Sequence, residues 1–215
     1  WLAIRCSSDT ITLIYSTLGG LRAVIITDFV QFILAMAGSI FALIYILRLP
    51  EIGGLSTLIH HEYVAGKLAI IPDWSEPDVW IPILFVPLAI QWWASYYPGA
   101  EPGGGGYIAQ RMLSAKDESN AVGAALLFNI AHYALRPWPW ILIALASLII
   151  FPTLGDLQSA FPQLPVHKLG HDVAYPAMLT LLPPGLLGLV AASLIAAFMS
   201  TMSTQVNLGA SYLVN

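Results

Sequence analysis

Four apolar runs, at 21–47, 79–97, 121–151 and 184–214, most constrain what this chain can fold into. A helix rises about 1.5 Å per residue, so about 20 mainly apolar residues cross a hydrocarbon core about 30 Å thick. In that medium every backbone N–H and C=O must be satisfied within the protein, which leaves helices as the element for runs of this length. A fifth run, ITLIYSTL at 11–18, reads as the end of an earlier helix stopped by Gly19-Gly20. Arg5 and Asp9 fit poorly into such a helix, which sets the first ten residues apart.

Composition agrees. Of 215 residues, 58% are hydrophobic and only 9% charged, against about 25% charged in soluble domains. The mean hydropathy is +0.76. A net charge of −4 with no Lys/Arg-rich patch excludes a nucleic-acid partner. The single Cys6 excludes an internal disulfide framework and any CxxC metal or redox site. The chain opens WLAIRCSSDT, with neither Met nor a basic stretch before an apolar core, and closes on YLVN inside an apolar run. The expectation is one all-α, polytopic membrane domain over residues 1–215, incomplete at both ends and surrounded by lipid bilayer.

The connections differ in length. Segments 49–78 and 152–184 are long, polar and rich in proline and acids, whereas RMLSAKDESN at 111–120 is short and carries Arg111 and Lys116. Short basic loops favour the cytoplasm, so Arg22 and 111–120 are placed inside and the long loops outside. Arg48, Lys67 and Lys168 lie in or beside the outer loops. The assignment therefore rests on charge density rather than on the count.

Several polar residues lie within the spans. Asp28 sits about eight residues into its run, about 12 Å from the inner end. Asn129, His132, Tyr133 and Arg136 share one helical face. RPWPW at 136–140 removes two backbone donors, which predicts a broken ladder and a kink. After IQWWASYY, the stretch PGAEPGGGGYIAQR at 98–111 is too rich in glycine and proline for regular helix. A break near 98–106 falls at membrane depth, where irregular backbone is tolerated only if buried in protein or lining a watery cavity.

The run 184–214 carries AAFMSTMSTQVN at 196–207. At 100° per residue, Ser200, Thr201, Thr204, Asn207 and Ser211 lie within about 80° of Ala197, with Ser203 at the edge of the stripe. Hydroxyl oxygens are hard, neutral ligands. Several of them, with a backbone carbonyl, can replace water around a small cation, and Asp28 at a comparable depth adds a negative charge. The ordinary alternative is that each Ser or Thr bonds back to its own helix or allows close helix packing.

The stretches YSTLGGLRAVIITDFVQ, YIAQRMLSAKDESNA and LLPPGLLGLVAASLIAAFMSTMSTQVN resemble the sodium/solute symporter family in order and spacing, over residues 11–215. The resemblance implies a ten-helix core of two inverted repeats, of which this chain holds the end of core helix 4 and helices 5 to 8. It implies sodium as coupling ion. A first sodium is held by the Ala197 carbonyl and the Ser200 and Thr201 hydroxyls, together with helix 1 groups that this chain lacks. A second, found in some members, maps onto Asp28, Ser200, Ser203 and Thr204. The implied cargo is a small organic solute: sugar, polyol, amino acid or organic acid. The implied location is a multi-pass protein of the cell membrane, with no enzymatic step.

The solute side is less defined. Tyr107 and Gln110-Arg111 match the end of the family's helix 6, whereas PGAEPGGGG departs from the sugar-carrier pattern. From chemistry alone, Trp92, Trp93 and Tyr97 can stack on a ring, and Glu101 can accept from hydroxyls or pair with Arg136. Arg136 can instead bind a substrate carboxylate. The plainer readings are lipid-facing tryptophans and a structural ion pair. HKLGH at 167–171 and His60-His61-Glu62 read as surface histidines. His132 reads as a bundle histidine or a proton relay, and GGGG at 103–106 lacks the Lys-Ser/Thr of a phosphate loop. Two rivals remain: a transporter-like sensor module of a signalling protein, and a proton-coupled carrier using Asp28 and His132.

Overall fold

The computed structural model describes the backbone of residues 2–69, 71–91 and 106–214, and the side chains of 10–69, 71–90 and 108–214. It is built from helices, with no strand among the described residues. The first, α1 (Leu2–Leu47), runs through Gly19-Gly20 as two helices joined at Gly20, whose φ of 55° and ψ of −154° are not helical. The break expected there is present, while residues 2–10 are helical rather than set apart.

Beyond α1 the chain folds back in short pieces, α2 (Leu55–His60) and α3 (Glu62–Ala65). The second apolar run begins with α4 (Pro77–Trp80) and widens into π-helical turns at Ile81–Phe85 and Pro87–Gln91. Pro82 and Pro87 explain the widening. A proline ring clashes with the carbonyl four residues back and lacks an N–H, so the ladder shifts to five-residue spacing, as in Val86 N–H to Ile81 C=O. The break expected near 98–106 lies almost wholly outside the described residues; helix resumes at Gly106.

α5 (Gly106–Leu113) leads through the turn 114–117 into α6 (Glu118–Asn129). The Asp117 carboxylate accepts the Asn120 N–H at 2.8 Å and caps α6. The inner connection is therefore shorter than 111–120, and Arg111 is a helical residue rather than a loop residue. A π-helical turn at Ile130–Leu135 joins α6 to α7 (Pro137–Ile150). The ladder break expected at 136–140 thus appears just before Pro137, where Arg136 N–H reaches Ala131 C=O at 3.0 Å.

The segment 152–184 folds as α8 (Leu154–Ala160), two single 3-10 turns and α9 (Ala174–Leu179). A reciprocal Thr153–Asp156 capping box starts α8. The last helix, α10 (Pro184–Val214), is unbroken over 31 residues. Among the described residues three helices are long and apolar enough to cross a membrane, Thr10–Leu47, Glu118–Ile150 and Pro184–Val214, whereas the second apolar run is described only as the shorter helix Pro77–Ile90.

Helices α1 and α10 pack along each other, and α7 joins them. Gly38 faces α10 at this crossing: a Cβ there would make ordinary contact, 3.6 Å from Ser193 Oγ and 3.7 Å from Leu189 Cγ. Trp140 Nε1 of α7 donates to Ser39 Oγ of α1 at 3.0 Å. One end of the bundle is closed by a core of Ala42, Ile46, Ile143, Ala146 and Val190 from the long helices, with Ile52, Leu58, Val64, Met178 and Leu182 from the connecting segments. Large side chains on the long helices, such as Phe29, Ile33, Leu126 and Leu194, are exposed. Lipid tails are as apolar as these side chains, so outward exposure carries no penalty in a bilayer.

Candidate ion-binding site

The register at Gly38 sets the site. From Gly38 to Asp28, α1 runs ten residues away from the closed end; from Ser193 to Thr204, the antiparallel α10 runs eleven the same way. At 1.5 Å per residue both travel about 15 Å, so Asp28 and Thr204 reach one level.

Arg111 of α5 joins them. Its Nη2 lies 3.1 Å from Asp28 Oδ2 and donates to Thr204 Oγ1 at 2.9 Å. The pair is partly shielded, with 27% of the Arg111 and 22% of the Asp28 side chain exposed. Next to it, Gln110 Nε2 donates to Asn207 Oδ1 at 3.2 Å, one turn further along α10. Three buried acceptors lie on the same helices, Asp28 Oδ1 and Gln31 Oε1 on α1 and Gln110 Oε1 on α5, and accept no hydrogen bond among the described residues.

The other α10 oxygens divide by side. Ser203 is fully buried, and its hydroxyl donates to the Ser200 carbonyl at 2.9 Å. Ser200 is half-buried, while Ala197 and Thr201 are exposed. The Thr201 hydroxyl donates to the Ala197 carbonyl at 3.2 Å, so these two oxygen groups sit side by side on an open helix face. Back-bonding of this kind is the ordinary behaviour of Ser and Thr in a spanning helix. It is also compatible with ion binding, because a hydroxyl that donates to a carbonyl keeps its lone pairs for a cation. The donor set, of neutral hard oxygens for one ion and a carboxylate for another, fits sodium.

Of the ten residues singled out from sequence, the fold brings Asp28 and Thr204 into one bonded group, with Ser200 one turn back on α10 and Ser203, next to Thr204 in sequence, on the buried side of the helix. Ala197 and Thr201 form the open-faced pair. Trp92 and Glu101, with Trp93, Tyr97 and the Glu101–Arg136 pairing, lie outside the described residues, as does the side chain of Tyr107. Arg136 takes local partners instead: His132 Nδ1 at 3.1 Å, and the Trp140 ring, 4.8 Å from centroid to Cζ. His132 stacks on Phe128, 5.2 Å between centroids at 9°. Among the described residues no hydrogen bond or ion pair links it to Asp28. His60 Nδ1 meets the Ser56 carbonyl at 2.8 Å, and no cluster of three or more His, Cys, Asp or Glu occurs among the described residues.

Arg111 is the residue that sequence reasoning misplaces, as a marker of an inner loop. The signal was present: a carboxylate within a span requires a cationic partner, and Arg22, Arg111 and Lys116 were the basic residues assigned to that side.

Known proteins give this geometry its context. A family model described as the sodium:solute symporter family matches residues 6–215. The chain is 31% identical to the sodium/glucose cotransporter of Vibrio parahaemolyticus, over 91% of this chain and 36% of the relative. It is 28% identical to human sodium/myo-inositol cotransporter 2, over 92% of this chain and 31% of the relative. A sodium/mannose cotransporter of Bos taurus is 28% identical over 92% of this chain and 35% of its own length. The chain thus spans about a third of these relatives. No solved structure matches it. With the match over almost its whole length, and three helices fit to span a bilayer, the chain is integral to the membrane and belongs to the sodium:solute symporter family.

Proposed function

We propose that this chain forms the ion-binding middle of a sodium-coupled symporter for a small organic solute. The observation that carries the reading is the oxygen stripe of α10 set against Asp28. Ala197, Ser200 and Thr201 supply neutral ligands for a first sodium on the open face, which a further helix of the whole protein completes. Asp28, Ser203 and Thr204, with Ser200 between the two sites, supply a second, charged position nearer the inner end. Filling the first position ties α10 to the element across from it and favours the outward-open form. Solute binding then follows, because occupying either site changes the affinity of the other.

The names of the relatives, cotransporters of glucose, myo-inositol and mannose, favour a polyhydroxylated solute. Trp92 and Tyr107 are the proposed stacking partners and Glu101 the proposed hydroxyl acceptor. Arg136, held by His132 and Trp140, is the proposed contact for an anionic group if the solute carries one.

The test is thermal stability of the full-length protein in detergent, in sodium and then in potassium or choline at equal ionic strength. A sodium-specific rise is expected, abolished by Thr201→Ala and weakened by Asp28→Asn. Absence of any sodium effect in the unmutated protein would overturn sodium coupling and favour a proton-coupled carrier.

A further inference from the structure

We propose that Arg111 is a tethered cation that competes with the transported ion for the Asp28 and Thr204 oxygens, so that the inner ion position opens only when Arg111 leaves it. The inference rests on the sodium reading above and deepens it.

A single guanidinium nitrogen occupies the position. Nη2 of Arg111 contacts Asp28 Oδ2 at 3.1 Å and Thr204 Oγ1 at 2.9 Å. An ion bound to those two oxygens would stand where Nη2 stands. Two unit cations a few ångströms apart in a partly shielded site also repel strongly, so the two occupants exclude each other. The acceptor inventory points to an occupant other than N–H donors. Asp28 Oδ1 and Gln31 Oε1, one turn apart on α1, are buried and accept no hydrogen bond among the described residues. Arg111 leaves them unserved. A bare cation, drawn to several oxygens at once, would use them together with Thr204.

The arrangement has a mechanical consequence. Arg111 and Gln110 bond α5 to α1 and α10, through Asp28, Thr204 and Asn207. Displacing Arg111 breaks two of those contacts together and loosens the inner end of α5. Its return expels the ion. The guanidinium therefore lowers ion affinity at the inner position in the state described here, which is what release toward the inner side requires.

The experiment measures the sodium concentration that gives half-maximal thermal stabilisation of the full-length protein, with choline as balancing ion. The proteins are wild type, Arg111→Gln, Arg111→Lys, Asp28→Asn and the Arg111→Gln/Asp28→Asn double variant. Arg111→Gln is expected to lower half-saturating sodium about tenfold, a typical coupling between sites. Arg111→Lys keeps a tethered charge and should stay within about threefold of wild type. The gain should vanish when Asp28 is also replaced. An unchanged or raised half-saturation in Arg111→Gln overturns the proposal. If wild type keeps a sodium response that Thr201→Ala abolishes, only this inference falls; if wild type has no sodium response, the sodium reading falls and takes the inference with it. Should Arg111→Gln fail to fold, spin labels at Arg22 and Ser114, in a background without other cysteines, leave the site intact. Sodium is then expected to populate a longer distance than choline does, and identical distributions overturn the proposal.

Discussion

Asp28 shows how one side chain can carry both fold and function. It neutralises Arg111 at 3.1 Å while its second oxygen stays buried without a donor. Asp28→Ala leaves the guanidinium without its counter-charge in a partly shielded site. The expected cost is about 1–3 kcal/mol, below the value for a fully buried pair because both side chains keep some water. The Arg111→Ala/Asp28→Ala double variant should recover part of that loss; equal losses in single and double variants in denaturant unfolding would sink the coupling. A second residue-level test lies outside the spans. Thr153 bonds to Asp156, first from its hydroxyl and then from its backbone N–H, hold that carboxylate below its ordinary value of 3.8. A depressed folded value means the contribution is complete above that ordinary value and is lost as pH falls through the folded one. Hydrogen-exchange protection at the start of α8 should therefore be flat from neutral pH to about 4 and decline below it. A decline beginning near pH 6 would contradict the assignment.

The helices follow rules that can be read along the chain, with two exceptions. The apolar run at 21–47 ends where α1 ends and the run at 184–214 begins where α10 begins, because apolar length and the helical period are local properties. Gly20 marks the joint within α1 for an equally local reason: a φ of 55° with a ψ of −154° belongs to a region that only glycine enters readily. Gly20→Ala should cost about 1–3 kcal/mol in thermal unfolding, and a neutral result would mean the joint is not needed. The first exception is the proline-bearing spans. PWP at 137–139 is legible as a break, but its form is not. The chain absorbs the missing donors by widening the turn before Pro137 rather than by ending the helix, and widened turns also occur at Pro82 and Pro87. The second is the outer segments, which are polar enough to read as loops. Ile52, Leu58, Val64 and Met178 within them are nevertheless fully buried, so the segments close the bundle as short helices. Leu58→Ala should cost about 2–5 kcal/mol through the cavity it leaves.

For the molecule as a whole, the antiparallel pairing of α1 with α10 decides what the oxygen stripe can do. The two helices pass each other with Gly38 facing Ser193, where an added Cβ would lie 3.6 Å from Ser193 Oγ, and that register brings Asp28 level with Thr204. The orientation assigned from loop charge places residues 112–118 in the cytoplasm. A cysteine at Ser114 should then react with a membrane-impermeant reagent only after the cells are opened, and labelling from outside intact cells would reverse the assignment. Spans, their approximate ends and the stripe from Ala197 to Ser211 are visible in the chain alone, since each depends on neighbours within a few turns. The family resemblance is visible there too, because its motifs are short and contiguous. The partner of the Asp28 carboxylate is not. Arg111 stands 83 residues from Asp28 and 93 from Thr204. Local pattern marks it as a loop-side basic residue, and only the packing of α5 against two antiparallel helices turns it into the cation that fills the site.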